Sequence, residues 1–189
     1  MKAVLNSALL LLSITVLGCA TSTPEFAPST PEFAPSQVSG PETWGTDTQV
    51  TQLRHLYFSN QPDQEALEAA KARDVKVVIN LREPTEQNWD EESAAQALGL
   101  TYYNVPISGR GPFSAADINR IDELVQLHSN DQILLHCSSG NRAAGWFAIH
   151  LVAQHGLQQD AALDIAREAG ITKDVIAQRV TRYLAEQGK

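Results

Sequence analysis

The stretch Ala143 to Ala153 is apolar on nearly every side, with His150 its one strongly polar interruption. A helix of that composition has no face to give to water, so it has to lie at the centre of a fold. Directly ahead of it, Gln132 to His136 reads as a short apolar strand, and His136-Cys137-Ser138-Ser139-Gly140-Asn141-Arg142 as the turn joining the two. A strand that feeds a buried helix through a glycine-bearing turn is how an α/β domain reads.

The chain from Gln49 onward repeats that alternation. Leu53 to Phe58 predicts a first strand. Pro62 to Arg73 opens with proline near a helix start and sets Ala66, Leu67, Ala69 and Ala70 at helical spacing. Val75 to Leu81 predicts a strand buried on both faces. Glu91 to Leu98 predicts a short helix, Leu100 to Ile107 another strand, and Ser108 to Phe113 a loop punctuated by Gly109, Gly111 and Pro112. Ser114 with Asp117 reads as a variant capping box, followed by Ile118, Ile121, Leu124 and Val125 on one helical face. Two more helices are predicted near 160–168 and 173–186.

The N-terminus reads differently. Lys2 followed by the mostly apolar Ala3 to Leu17 has the form of an export signal, short for a membrane span. It ends in Val16-Leu17-Gly18-Cys19, which resembles the bacterial lipobox and implies lipidation of Cys19. Ala20 follows, which favours an outer-membrane address, so the expected location is the bacterial cell envelope, lipid-anchored, on the periplasmic face of the outer membrane. Residues 20–46 are rich in Pro, Ser and Thr and carry a tandem heptad, Thr23 to Ser29 and Thr30 to Ser36, which suits a semi-extended spacer; docking of its Phe-Ala-Pro unit on a partner is the alternative. The expected organisation is a signal peptide over 1–19, a linker over 20–46 and one catalytic domain over 47–188. A net charge of -8 is scattered along the 189 residues, so no basic face for nucleic acid is expected. Cys19 and Cys137 are the two cysteines, which rules out an internal disulfide framework for the domain.

The turn from His136 to Arg142 carries the chemistry. A strand, a glycine turn and a helix start aim backbone N–H groups at one centre with a positive helix end behind them, which makes an anion cradle. Cys137 stands at its lip, where a helix N-terminus and an arginine favour the thiolate, the nucleophilic form. Arg142 can grip two oxygens of a phosphoryl group as a fork. Attack by Cys137 would give a covalent cysteinyl intermediate. The competing reading of a lone cysteine after a strand is a small inert hydrophobe. Cys137 and Arg142 are the catalytic candidates, and Ser138, Ser139, Gly140 and Asn141 the substrate-binding ones.

Tyr57-Phe58-Ser59-Asn60-Gln61-Pro62, Val77 to Arg82, Ala97 to Ile107 and His136 to Arg142, in that order, resemble the bacterial phosphatase-like domain also found fused to β-lactamase-like hydrolases, and more distantly the dual-specificity and tyrosine phosphatases. The resemblance spans roughly Leu56 to Val152. It implies an α/β fold with a mainly parallel four- or five-stranded sheet flanked by helices, Cys137 as nucleophile and Arg142 as phosphate clamp; the expected partner is a phosphorylated substrate, and no cofactor or metal is expected. Three features depart from the family pattern. Its loop usually has one residue more between cysteine and arginine than the Ser138-Ser139-Gly140-Asn141 found here. Ala143 stands where a Ser or Thr often assists the thiolate to leave. The loop 108–113, where the leaving group's acid is expected, has no carboxylate; Asp117, Glu83, Glu86, Asp90, Glu91 and Glu92 are the nearby alternatives.

The shorter loop, Cys-x-Ser-Gly-x-Arg, and the segment Arg82-Glu83-Pro84 also resemble rhodanese-type sulfurtransferases, in which Cys137 would carry a persulfide. A noncatalytic phosphate-binding module is a third reading. His136 is expected to orient the loop from a buried position, since it has no ligand partners at metal spacing. His55, His128, His150 and His155 form no such group either. Trp89 is a candidate for the substrate mouth, and Trp146 for the core.

Overall fold

In the computed structural model the described residues run from Glu32 to Gly188. The signal segment, Cys19 and the first Phe-Ala-Pro heptad lie outside them. The elements are β1 (Ser39–Trp44), β2 (Thr48–Leu53), β3 (Leu56–Ser59), α1 (Gln64–Ala72), β4 (Val75–Asn80), α2 (Glu91–Ala97), β5 (Thr101–Asn104), α3 (Ala115–Leu127), β6 (Gln132–His136), α4 (Asn141–His155), α5 (Gln159–Ala169) and α6 (Asp174–Glu186).

Six strands form one sheet in the order β1-β2-β3-β6-β4-β5. β3, β6, β4 and β5 pair in parallel, while β1-β2-β3 pair antiparallel. The sheet therefore exceeds the expected four or five strands, because a hairpin is added at one edge of the parallel core. Two expectations are corrected here. The predicted strand over 53–58 divides into β2 and β3, with Arg54 in the left-handed region (φ 57) turning the chain between them. The expected linker also ends earlier than residue 46: Ser39–Trp44 is paired in the sheet, and Trp44, 2% exposed, packs on Tyr57 with ring centroids 5.1 Å apart. Phe33, from the second heptad, is itself buried against His155, ring centroids 4.5 Å apart, so this phenylalanine packs on the domain.

The strands alternate their burial as the pleat requires. Phe58, Val77, Ile79, Ile133 and Leu135 face the layer of α3, α4, α5 and α6, while Tyr57, Val78 and Leu134 face α1 and α2. Helix α4 lies between sheet and helices, buried from Asn141 to Ile149, as its sequence demands. Phe147 meets Phe58 at 4.9 Å between ring centroids, and burial of each such side chain stabilises the fold by roughly 1.5–3 kcal/mol. Trp146 is core, with its indole N–H donated to Asp122 Oδ1 at 3.0 Å. Trp89 is half-buried and packs against the α1/α2 layer.

Candidate active site

The carboxyl ends of the four parallel strands converge, and a site in such a fold belongs in the crevice they leave. β6 ends at His136, whose carbonyl accepts Leu81 N at 2.9 Å from the end of β4. On the other side Cys137 N reaches Ser59 O at 3.4 Å, and Ser139 bridges Asn60. The turn is thus tied to both neighbouring strands before α4 begins. Gly140 is the helix N-cap at φ 78, a conformation in which other residues are strained. It has no side chain to cap the helix, so the first N–H groups of α4 are left for a ligand, whereas Asp63, Asp90 and Ser114 cap α1, α2 and α3.

Cys137 is a free, fully buried thiol within the apolar layer beneath the turn. Arg142, 4% exposed, comes off the first turn of α4. Its Nη1 donates to Glu86 Oε2 at 2.7 Å, Ile107 O at 2.7 Å and Leu81 O at 3.2 Å. Its Nη2 donates to Glu86 Oε1 at 2.8 Å and Ser138 Oγ at 3.2 Å. Glu86 therefore grips the Nη1–Nη2 end of the guanidinium. With the Nη1–Nη2 edge taken by Glu86, Nε and the Nη2 hydrogen that now meets Ser138 are the donors left for an incoming oxyanion. The hydrogen bond from Arg142 holds the Glu86 carboxyl below its ordinary range, ahead of an opposing effect of burial. Burial works against the Arg142 charge, but the Glu86 hydrogen bond and the attraction of Cys137 outweigh it and raise its pKa.

The other proposed ligand-binding residues divide. Ser138 and Ser139 are exposed at the rim and Gly140 is buried in the turn. Asn141 points elsewhere: its Oδ1 accepts Thr172 N and Lys173 N, both at 3.0 Å, and its Nδ2 donates to Thr172 Oγ1 at 3.0 Å, which fastens the turn to the start of α6. What Asn141 offers the cradle is its backbone. Ser138, Ser139 and Gly140 also border a cleft of about 470 Å³ lined by Ser59, Asn60 and Thr172 among others.

His136 is fully buried, with Nε2 2.7 Å from Glu91 Oε1 but off the ring N–H direction, a close polar contact rather than an aligned hydrogen bond. Glu91, 2% exposed, accepts Gln61 Nε2 at 3.0 Å and Asn80 Nδ2 at 3.1 Å on its other oxygen. Asn80 also meets the Tyr102 hydroxyl, whose pKa is raised by burial and then by Glu91. Arg82 joins Gln61 to the Glu86 carbonyl. A chain of polar contacts thus runs beneath the turn, from the residue before Cys137 round to the partner of Arg142.

The loop 108–113 is clamped rather than loose. Arg179 from α6, 6% exposed, donates to Ser108 O at 2.9 Å and Gly109 O at 3.3 Å and covers the Phe113 ring at 4.6 Å. Glu83 Oε2 accepts Gly109 N at 3.2 Å. Asp117 is turned onto the Ser114 hydroxyl at 2.7 Å. Among the described residues no three His, Cys, Asp or Glu side chains converge as metal ligands would, and no helix is long and apolar enough to cross a membrane.

No family model matches the chain. It is 31% identical over 110 residues to the beta-lactamase hydrolase-like protein of Xylella fastidiosa strain Temecula1, and equally to that of strain 9a5c, covering 56% of this chain and 25% of each relative. The chain therefore spans only about a quarter of the length of these relatives. Among solved structures, P. aeruginosa TpbA superposes with a TM-score of 0.60 at 18% identity, covering 72% of this chain and 83% of that one. A TpbA variant with a cysteine replaced by serine, in complex with phosphotyrosine, gives 0.58 at 17% identity, covering 70% and 80%. Kinase associated phosphatase, with its catalytic-site cysteine replaced by serine, gives 0.61 at 17%, covering 69% and 86%. The fold is that of the cysteine-dependent phosphatases.

Glu86 and Arg179 are the site residues that sequence reasoning did not single out. Glu86 stood among several acids of one segment, and its only distinguishing signal is its place just beyond the carboxyl end of a buried strand.

Proposed function

We propose that this chain is a cysteine-dependent phosphatase that hydrolyses a phosphomonoester through a cysteinyl-phosphate intermediate, with protein phosphotyrosine the substrate class to test first. The observation that carries the reading is Arg142, paired with Glu86 and electrostatically coupled to Cys137, at a helix start that no side chain caps. The phosphoryl oxygens would take the remaining Arg142 donors and the backbone N–H groups of the turn, and Cys137 would attack phosphorus as the bond to the leaving oxygen breaks. Water would then release phosphate and restore the thiolate. The deciding assay is aryl phosphate turnover by the wild-type chain and Cys137→Ser: turnover in the wild type alone supports the proposal, and turnover that survives the substitution refutes it.

The four-residue spacing from Cys137 to Arg142 favours rhodanese-type sulfur transfer as the second reading. Thiocyanate formation from thiosulfate and cyanide, without phosphate release, would select it. Phosphate binding with neither turnover would select a noncatalytic module. We also propose, from Val16 to Cys19 and Ala20, that Cys19 is lipidated and the domain tethered at the periplasmic face of the outer membrane; incorporation of labelled palmitate, lost in Cys19→Ser, tests the anchor.

A further inference from the structure

Cleavage of a phosphomonoester with a poor leaving group needs a proton at the departing oxygen. The carboxylates of the turn after β4 and of the first turns of α2 and α3 are nearly all committed to other partners. Glu86 is held by Arg142, and Glu91 is buried against His136, Gln61 and Asn80. Asp90 caps α2 at Ser93 N, Glu92 accepts Gln96, and Asp117 receives the Ser114 hydroxyl. Glu83 differs: it is half-buried, makes no ion pair among the described residues, and meets a single backbone donor, Gly109 N, through Oε2. Its Oε1 has no hydrogen-bond donor among them.

Its position is defined from both sides. A Cβ placed on Gly109 would lie 4.0 Å from Glu83 Oε2 and 3.9 Å from Glu86 Oε1, so Glu83 stands beside the carboxylate that grips Arg142. Arg179 fixes the carbonyls of Ser108 and Gly109, which holds in place the Gly109 N–H that Glu83 accepts.

We propose that Glu83 is the general acid and base of the site, supplied by the turn after β4 instead of the carboxylate-free loop 108–113. The inference rests on the phosphatase reading. In the first step the Cys137 sulfur forms a bond to phosphorus, the bond from phosphorus to the leaving oxygen breaks with its electron pair going to that oxygen, and the Glu83 carboxyl proton passes to it, giving an alcohol or phenol and a Glu83 carboxylate. In the second step a water oxygen bonds to phosphorus, the sulfur–phosphorus bond breaks and returns its pair to the thiolate, and the water proton returns to Glu83.

The test measures the full chain, wild type, Glu83→Gln, Glu83→Asp and Asp117→Asn, on 4-nitrophenyl phosphate, whose leaving group needs little help, and on an unactivated alkyl phosphate. Glu83→Gln is expected to lose about 10²–10⁴-fold in kcat on the alkyl ester but only a few-fold on the nitrophenyl ester, with Glu83→Asp recovering part of the alkyl rate and Asp117→Asn following the wild type. An equal loss on both esters, no loss on either, or a leaving-group-dependent loss in Asp117→Asn would overturn the assignment while leaving the phosphatase reading intact. A wild-type chain that hydrolyses neither ester overturns both.

Discussion

Glu86 is where the site's electrostatics meet the fold's stability, and Glu86→Gln measures the connection. The substitution keeps the shape of the side chain but converts one of the two carboxylate bonds to Arg142, 2.7 and 2.8 Å long, into a neutral one and turns the other into a clash of donors. A hydrogen bond to a charged group contributes about 1.5–3 kcal/mol, and removing one partner of a fully buried ion pair costs about 3–5 kcal/mol. The Glu86 side chain is 26% exposed, and Arg142 keeps the carbonyls of Leu81 and Ile107, so the lower part of the range applies. The expected loss is about 2–3 kcal/mol, or roughly 4–12 °C in Tm for a domain of this size. Its pH dependence follows from the depressed Glu86 carboxyl. Stability gained by a carboxyl whose folded pKa lies below the unfolded value is fully present above the unfolded value, about 4.3, and disappears as pH falls through the folded one. Thermal unfolding of wild type and Glu86→Gln near neutral pH and again near about pH 3 should therefore show a gap that closes in acid. An undiminished gap in acid, or no gap at neutral pH, would refute the ion pair as the anchor of Arg142.

Three further substitutions probe the frame of the site. Gly140→Ala meets no close atom, its nearest neighbour being Ser59 at 3.6 Å, so its cost is that of the left-handed backbone at φ 78, about 1–2 kcal/mol in chemical denaturation. Gly145→Ala puts a methyl 2.8 Å from Phe113 and 2.9 Å from Ile176; it should cost about 1–3 kcal/mol and expose the 108–113 loop to faster amide exchange. Asp122→Ala leaves Trp146, His150 and Gln154 without their shared acceptor, and a loss of about 1–3 kcal/mol should appear as a lower denaturation midpoint with phosphate release unchanged.

Much of this arrangement is legible in the sequence because its signals are local. The strand over 132–136 matches β6, and the all-round apolar character of 143–153 places α4 at the centre. The edge hairpin was not legible: Arg54-His55 has none of the residues that mark a turn, so β2 and β3 read as one strand. β1 was hidden by composition, since Ser39, Gly40, Pro41 and Glu42 are exposed and resemble a spacer, with only Trp44 buried. At the site, Cys137 and Arg142 share one turn and can be read together. Glu86 lies 56 residues before Arg142, and no periodicity links positions that only the parallel pairing of β4 with β6 brings together. The inward fold of the Asn141 side chain toward Thr172 escapes a sequence reading for the same reason.

The central claim is that Cys137 takes the phosphoryl group from the substrate. Rapid acid quenching of the chain during turnover of an aryl phosphate, followed by mass analysis of the peptide that contains Cys137, tests it directly. The account predicts a peptide heavier by one phosphoryl group, absent in Cys137→Ser and strongly reduced in Arg142→Lys. Phosphate release with an unmodified Cys137 peptide at every time point, and with Cys137→Ser still active, would contradict it.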